Sequence, residues 1–345
     1  MDLWMNAIIV IIFALLIDRF IGELPNRFHL LRWIGNVVGW FDRRVTVRVS
    51  KRTQVIGAVS YILVLLLFWF VLMLICAAVR YGVGDVTWTV SGAEIPIGTL
   101  AWLFVLAFMF KLTFAIFSFR KHCVPIEDDL LHERIDEAAD KVQMIVSRDT
   151  KGMDKEHIAS SCCETISENL VDSIISPTFY FGLLGLTGAI IFRCANLMDA
   201  MWGYLNERYG DLGRFVAKFD DFLGYLTSRI SPVFVVIGAK MMRMRSEGVI
   251  DSAKREHGKT PSPNSGWPMT AVASALGISM EKKDVYIMGT GPLPGVKDIR
   301  RCYRLVETTS FAFILLICLP LFALLGIHVQ VFAEDVIMDI WRLLF

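Results

Sequence analysis

Charge is scarce and balanced in this 345-residue chain. Asp, Glu, Lys and Arg make up 20% of it, against about 25% in ordinary soluble domains, and 35 basic residues offset 34 acidic ones to leave +1. No net basic field is available to draw nucleic acid. The seven cysteines contain no C-x-x-C pair and are odd in number, which excludes a secreted disulfide framework. The six histidines are scattered singly with no H-E-x-x-H spacing, so zinc has no ligand set; haem and Fe-S centres are not expected either. Internal repeats and low-complexity segments are absent. Gly258-Lys259-Thr260 ends like a P-loop, but Ala253 stands where that loop needs its first glycine. Pro261 and Pro263 also block the helix that should follow. The stretch from Gly289 fails G-x-G-x-x-G because Pro294 holds the sixth place, and no Rossmann-type strand precedes it.

Apolar residues are abundant, at 55%. Residues 3–17, 55–79, 95–110 and 309–327 carry no charge. Runs of about 18 apolar residues are long enough to cross a hydrocarbon core of about 30 Å, and 55–79 is apolar on every face, unlike a core helix of a soluble protein. The fold class expected is all-α, a polytopic membrane helical bundle forming a single membrane-embedded domain over 1–345. Spans are placed at about 3–22, 55–79, 96–118 and 309–328. The first run is not a cleavable signal peptide, since it has no basic start and no small-residue cleavage site. Two further apolar stretches, 174–192 and 230–240, are read as short, re-entrant or buried; the first contains Pro177, Gly182, Gly185 and Gly188. Lys and Arg number eight in 19–52, one in 80–97, seven in 120–155 and twelve in 240–304. By the positive-inside rule this places 19–54, 120–173 and 240–308 in the cytoplasm and 81–97 outside.

The remaining charge is patterned. Ile126, Leu130, Ile135, Ala138, Val142 and Val146 carry helical spacing, and one amphipathic helix is expected there. Asp154 is expected to cap a second helix with an apolar row at Ile158, Cys162, Ile166, Leu170 and Ile174. Glu164, Glu168 and Asp172 form another row at i, i+4 and i+8, with Thr165 and Asn169 beside it. Like charges on one face repel, and no Lys or Arg interleaves between 156 and 192. A solvated face is one reading of that row; the other is a site for Mg2+, a hard cation that takes carboxylate oxygens and bridges phosphates. Arg193, Asn196, Asp199, Gly203 and Asn206 fall on one helical face, with Glu207 and Arg208 adjoining, Gly210 placed to end the helix, and Asp220-Asp221 following. Arginine and acid inside apolar surroundings are costly unless used. His257 to Pro268 forms a Pro/Gly/Ser/Asn loop whose backbone N–H groups could meet an anion.

Four of these places together, with the N-terminal motif, resemble the adenosylcobinamide-phosphate synthase family, the CobD/CbiB membrane proteins of cobalamin biosynthesis. The pattern D-R-x-x-G-E-x-P-x-R-x-H-P-x-R-x-x-G is met at 18–35, with Leu30 in place of the usual proline. G-R-D-T-x-G-L-D is approximated at 147–154, and E-S-x-x-E-N-x-x-D at 164–172. R-x-x-N-x-x-D-x-M-x-G-Y-x-N-E-R-Y is met without a gap at 193–209, and S-P-N-x-G-W-P at 262–268. Met269 stands where Glu or Gln often follows, and the region after Tyr286 looks shortened.

The resemblance implies amide ligation of adenosylcobyric acid with (R)-1-aminopropan-2-ol O-phosphate or aminopropanol. A carboxylate needs activation, most simply by ATP, so Mg2+ and ATP are inferred as cofactors from the chemistry. Glu164, Glu168, Asp172 and Asp199 are the expected metal ligands or base, with Glu207 added to the catalytic set. Arg193, Arg208 and Lys259 are assigned to phosphate or carboxylate; Asn169, Asn196 and Asn264 to substrate orientation. Carried over as substrate contacts are Asp18, Arg19, Glu23, His29, Arg32, Asn206, Tyr209, Asp220, Asp221 and Ser262. The carboxylate and basic sets are expected to form two halves of one active site facing the cytoplasm of a prokaryotic cell. Expected partners are the lipid bilayer, a second copy, or other membrane enzymes of the corrinoid pathway. A transporter using the same polar helices, and a non-catalytic scaffold of that pathway, are the competing classes.

Overall fold

A computed structural model describes residues 2–45, 50–90 and 93–344. Residues 46–49 of the first stretch assigned to the cytoplasm and 91–92 of the outer loop lie outside the described residues. The architecture is a helical membrane bundle, with two short antiparallel hairpins as the β-structure among the described residues. Among the described residues four helices are long and apolar enough to cross a membrane: Leu3–Phe20, Lys51–Val83, Arg214–Met241 and Val296–Leu343. Ile97–Lys111 is apolar but shorter, at 15 residues. The 230–240 stretch is the second half of the 28-residue Arg214–Met241 helix. That helix contains Pro232, whose missing N–H leaves the Ser228 carbonyl open; the Ser231 hydroxyl donates to it at 2.7 Å.

The chain divides into two compact units. The first comprises Met1–Ala115, Pro177–Asp220 and Leu316–Phe345. Its Leu3–Phe20 helix buries Asn6, Ala7, Val10, Ile11, Ala14, Ile17 and Asp18, one helical stripe, and exposes Ile8, Ile12 and Leu16. The helix stops where Gly22 turns left-handed at φ 68° and the Ile21 and Gly22 amides both donate to the Ile17 carbonyl. Lys51–Val83, 33 residues and about 50 Å long, likewise buries Tyr61, Val64, Phe68, Leu72 and Met73 and leaves Ile62, Leu63, Leu66 and Leu67 outward. Apolar residues on an outward face are what a hydrocarbon solvent accepts. The 174–192 stretch is divided at Gly185, which takes φ 62° between Ser176–Leu184 and Leu186–Trp202. The buried Gln330 side chain accepts from the Leu186 amide at 2.9 Å and so caps the second helix.

The second unit comprises Ile116–Ser176 and Asp221–Leu315. Lys155–Asn169 packs against Val296–Phe313 and against the hairpin Ser279–Lys282/Tyr286–Gly289. The apolar row 158, 162, 166, 170 and 174 is buried as expected, and Asp154 caps the helix by accepting from the His157 amide at 2.9 Å.

Three local expectations are corrected. The 126–146 region is two helices, Ser118–Leu131 and Ile135–Gln143, because Glu133 turns left-handed at φ 57° while Arg134 folds back to bind Asp128 and Asp129. Helix Leu186–Trp202 ends before Asn206, so Asn206 does not share the face of Arg193, Asn196 and Asp199. The Asn206 side chain accepts from the Arg208 and Tyr209 amides instead, a local cap that competes with helix continuation. Finally, residues Leu170–Ile175 are π-helical, which takes Asp172 out of the i, i+4, i+8 register of Glu164 and Glu168.

Candidate functional site

The second unit holds a cleft built around Glu164 and Glu168. Its first wall is the Lys155–Asn169 helix. The second wall is the turn leading into that helix, folded by the Thr150 hydroxyl on the Ala139 carbonyl at 2.8 Å and by the Gln143 amide on the Arg148 carbonyl at 2.9 Å. The third is the hairpin, whose Glu281 amide donates to the Ser160 hydroxyl at 2.8 Å. These fastenings aim three side chains at Glu164, which is 3% exposed: Arg148 at 2.9 Å, the Tyr286 hydroxyl donating at 2.8 Å, and the Ser160 hydroxyl donating at 3.2 Å.

Glu168, one turn further on, lines the same cavity of about 270 Å³ with Thr165, Asn169, Lys282 and Tyr286. The Glu168 carboxyl makes no hydrogen bond or ion pair among the described residues. Burial pushes both carboxyls above the usual range; for Glu164 the Arg148 guanidinium and the Tyr286 hydroxyl oppose that push, whereas for Glu168 the charge of Glu164 adds to it. Burial, then the Glu164 carboxylate, raises the Tyr286 phenol as well. Arg148 and Lys282 also line a neighbouring cavity of about 460 Å³, joined there by Lys151, His157, Lys283, Asp149 and Asp154. Arg148 and Lys282 thus stand beside Glu164 and Glu168 in the smaller cavity and, with Glu281 also present, among both cations and carboxylates in the larger one. Such an arrangement suits a substrate presenting phosphate or carboxylate oxygens beside a proton acceptor.

No three His, Cys, Asp or Glu side chains converge as a ready-made metal site among the described residues. Mg2+ is commonly held by one or two carboxylates plus substrate phosphates and water, and Glu164 with Glu168 fits that donor set. Asp172 does not line this cavity, and Asp199 belongs to the first unit. Asn169 sits on the cavity wall with its amide donating to the Thr165 carbonyl at 2.9 Å and its oxygen accepting from Ser173 at 2.7 Å.

The other expected contacts of the second unit are engaged in holding the 257–268 loop. Lys259 donates to Glu256 at 3.1 Å and to the Ile287 carbonyl at 2.8 Å. The Ser262 hydroxyl accepts from the Asn264 amide at 3.2 Å. The Asn264 side chain donates to the Asp221 carbonyl at 2.9 Å and accepts from Ser228 and Arg229, at 3.2 and 3.1 Å. Asp221 is half-buried on Arg214–Met241.

The first unit gathers its own polar residues. Asp18 and Lys111 form an ion pair at 2.8 Å with both residues buried. Burial holds the His29 imidazole below its ordinary value; Glu23 opposes this, and Lys111 and Arg193 reinforce it. Arg193 is buried and donates to Asn196 at 3.3 Å. Asp199 needs Gly203: a Cβ there would lie 2.2 Å from the Asp199 carboxylate oxygen. Arg19, Arg32 and Glu207 are exposed, and Asp220 is half-buried on the Arg214–Met241 helix. Arg208 donates to the Asp42 carboxylate at 3.1 Å, and the Tyr209 hydroxyl donates to it at 3.3 Å. Residues that the sequence reading passed over are Arg148, Lys282, Tyr286, Asp42 and Lys111. Arg148 lies inside the recognised 147–154 pattern, which was the one available signal.

The CobD/Cbib protein family model matches residues 11–306. The probable cobalamin biosynthesis protein CobD of Methanothermobacter thermautotrophicus is 33% identical over 311 residues, covering 90% of this chain and 96% of the relative. The corresponding protein of Thermoplasma volcanium is 31% identical over 330 residues, covering 93% and 99%. Cobalamin biosynthesis protein CobD of Dehalococcoides mccartyi is 29% identical over 298 residues, covering 86% and 92%. No solved structure matches.

Proposed function

The chain belongs to the CobD/CbiB family of cobalamin biosynthesis proteins, and from that premise we propose that it is the pathway's amide-forming ligase. Its substrates are adenosylcobyric acid and (R)-1-aminopropan-2-ol O-phosphate or aminopropanol, and ATP activates the carboxylate. The observation that carries this reading is the pairing of an unpartnered half-buried acid, Glu168, with a cationic wall of Arg148 and Lys282 in one cleft. The corrinoid is far larger than either cavity, so only its free propionate arm enters. The propionate oxygen attacks the terminal phosphorus of ATP and ADP departs, leaving an acyl phosphate. The amine nitrogen then attacks the acyl carbon, inorganic phosphate departs, and the proton released from nitrogen passes to a base.

Glu168 is the proposed base, since a carboxyl held above its ordinary range is better matched to accepting a proton near neutrality. Arg148, Lys282 and Lys283 bind phosphate oxygens, and Tyr286 with Arg148 keeps Glu164 oriented. Mg2+, brought in on the substrate phosphates with Glu164 as the carboxylate beside it, would neutralise charge on the phosphates and leave Glu168 free to take the proton. The site faces the cytoplasm of a prokaryotic cell membrane, where ATP is available. Purified protein given ATP, Mg2+ and both substrates is expected to form the amide without a membrane gradient, with Glu168→Gln inactive. Absence of product from the wild-type protein would favour transport or scaffolding instead.

A further inference from the structure

The Leu30–Arg44 helix is amphipathic in an unusual sense. Leu30, Ile34 and Val38 are buried, against Leu186–Trp202 and Lys51–Val83. At about 100° per residue, Arg32, Trp33, Asn36, Trp40, Arg43 and Arg44 share the opposite face within about 120°. All six are exposed, Trp33 at 42% and Trp40 at 45%. A helix designed only for water would not place two tryptophans outward at i and i+7. A helix in hydrocarbon would not place three arginines beside them. Trp together with Arg on one face is the composition of a segment lying in the headgroup layer of a bilayer.

Its position in the chain agrees. The membrane-spanning Leu3–Phe20 ends ten residues before the helix begins, and Lys51–Val83 starts seven residues after it ends. A helix separated from two candidate spans by so few residues lies near where those spans leave the bilayer. The Arg44 guanidinium lies 3.9 Å from the Trp40 ring centroid, and the Trp33 indole donates to the Arg27 carbonyl at 2.8 Å, so the aromatic row is held open rather than folded inward.

We propose that this exposed face is a docking surface for the phosphate headgroups of anionic phospholipids. The arginines meet the phosphates and the indoles seat at the acyl boundary. Of its residues only Arg32 is shared with the expected substrate contacts; Trp33, Trp40, Arg43 and Arg44 have no part in the ligase reading.

The full-length protein in neutral detergent is titrated with phosphatidylglycerol or phosphatidylcholine, and bound lipid is counted by native mass spectrometry alongside the melting temperature. Phosphatidylglycerol is expected to bind and to raise the melting temperature, in a salt-sensitive manner, and phosphatidylcholine to do neither. R43Q/R44Q should weaken phosphatidylglycerol binding about 25-fold, at about fivefold per arginine. R43K/R44K, which keeps the charge, should bind nearly as the wild type does. Equal binding of the two lipids, or unchanged binding by R43Q/R44Q, overturns the assignment. So does displacement of lipid by glycerol 3-phosphate or by RNA at comparable concentration, since the face would then serve a soluble ligand. If R43Q/R44Q does not fold, the lipid contrast and salt response of the wild-type protein decide. None of these measurements reads amide formation, so the two proposals fail separately.

Discussion

Asp18 and Glu168 are both carboxylates withdrawn from water, and the chain treats them differently. Asp18 in the first unit is closed off: Lys111 reaches it at 2.8 Å and also donates to the Phe114 carbonyl at 3.2 Å. Glu168 in the second unit is left with a like charge, Glu164, as its neighbour, and the cations on its cavity wall do not pair with it. Burying an unpaired charge costs stability, so it persists only where something outweighs that cost. Paired buried charge therefore marks architecture in this molecule, and the acid beside a cavity that Lys282 and Arg148 offset only at a distance marks the place to look for chemistry.

The sharpest test of that contrast is Glu168→Gln, expected to lower amide formation about 10²- to 10⁴-fold, the usual worth of a general base. The same variant should be more stable than the wild type at neutral pH. A carboxyl whose value is raised by folding favours the protonated fold, so ionisation destabilises it as pH rises above the ordinary range near 4.5. Melting temperatures at pH 5 and pH 8 check the sign: the advantage of Gln should grow with pH. A variant that loses activity and stability together would make Glu168 a structural acid like Asp18.

Lys111→Met should do the reverse, costing stability by about 3–5 kcal/mol because it removes the cation of an ion pair whose two members are both buried. Replacing both partners, with Asp18→Leu added, should recover most of that loss. Thermal unfolding in detergent measures both. If the double variant is no better than the single one, the pair is held for more than mutual neutralisation.

Tyr286→Phe is a milder cut. It removes one donor to Glu164 while leaving Arg148 and Ser160 in place. A hydrogen bond to a charged group supports an effect of about tenfold on turnover. The hydroxyl helps hold Glu164 down against burial, so its loss should move the acidic limb of the pH–rate profile upward. An unmoved profile would detach Tyr286 from the chemistry.

Much of this architecture was readable beforehand and the site was less so, for identifiable reasons. Uncharged runs such as 55–79 announce themselves because lipid tolerates no exposed charge. The buried row from Ile158 to Ile174 follows from helical period. The missing partners of Glu164 were a different matter. Arg148 comes from 16 residues upstream and Tyr286 from 122 downstream, brought together by the turn around Thr150 and the hairpin. No spacing rule reaches across such separations. Asp172 misled for a local reason: a π turn beginning at Leu170 is invisible to a 3.6-residue template. Asn206 misled because its side chain caps the backbone outside the helix it was assigned to.

The smallest effect separates scaffold from chemistry at the mouth of the same cleft. Asp154 lines the larger cavity, yet its carboxylate is engaged as the cap of Lys155–Asn169, accepting from the His157 amide at 2.9 Å. That amide, above all, holds the carboxyl below its ordinary value, with the His157 side chain adding to the effect. A carboxyl lowered by folding contributes stability above its unfolded value, and that stability is lost as pH falls through the folded one. Asp154→Ala should therefore cost about 1 kcal/mol at neutral pH, the ordinary worth of a cap, with turnover changed by no more than a few-fold. The gap between variant and wild type should close below about pH 4. A turnover loss approaching that of Glu168→Gln would place Asp154 among the substrate contacts and enlarge the chemically active region to the whole cleft.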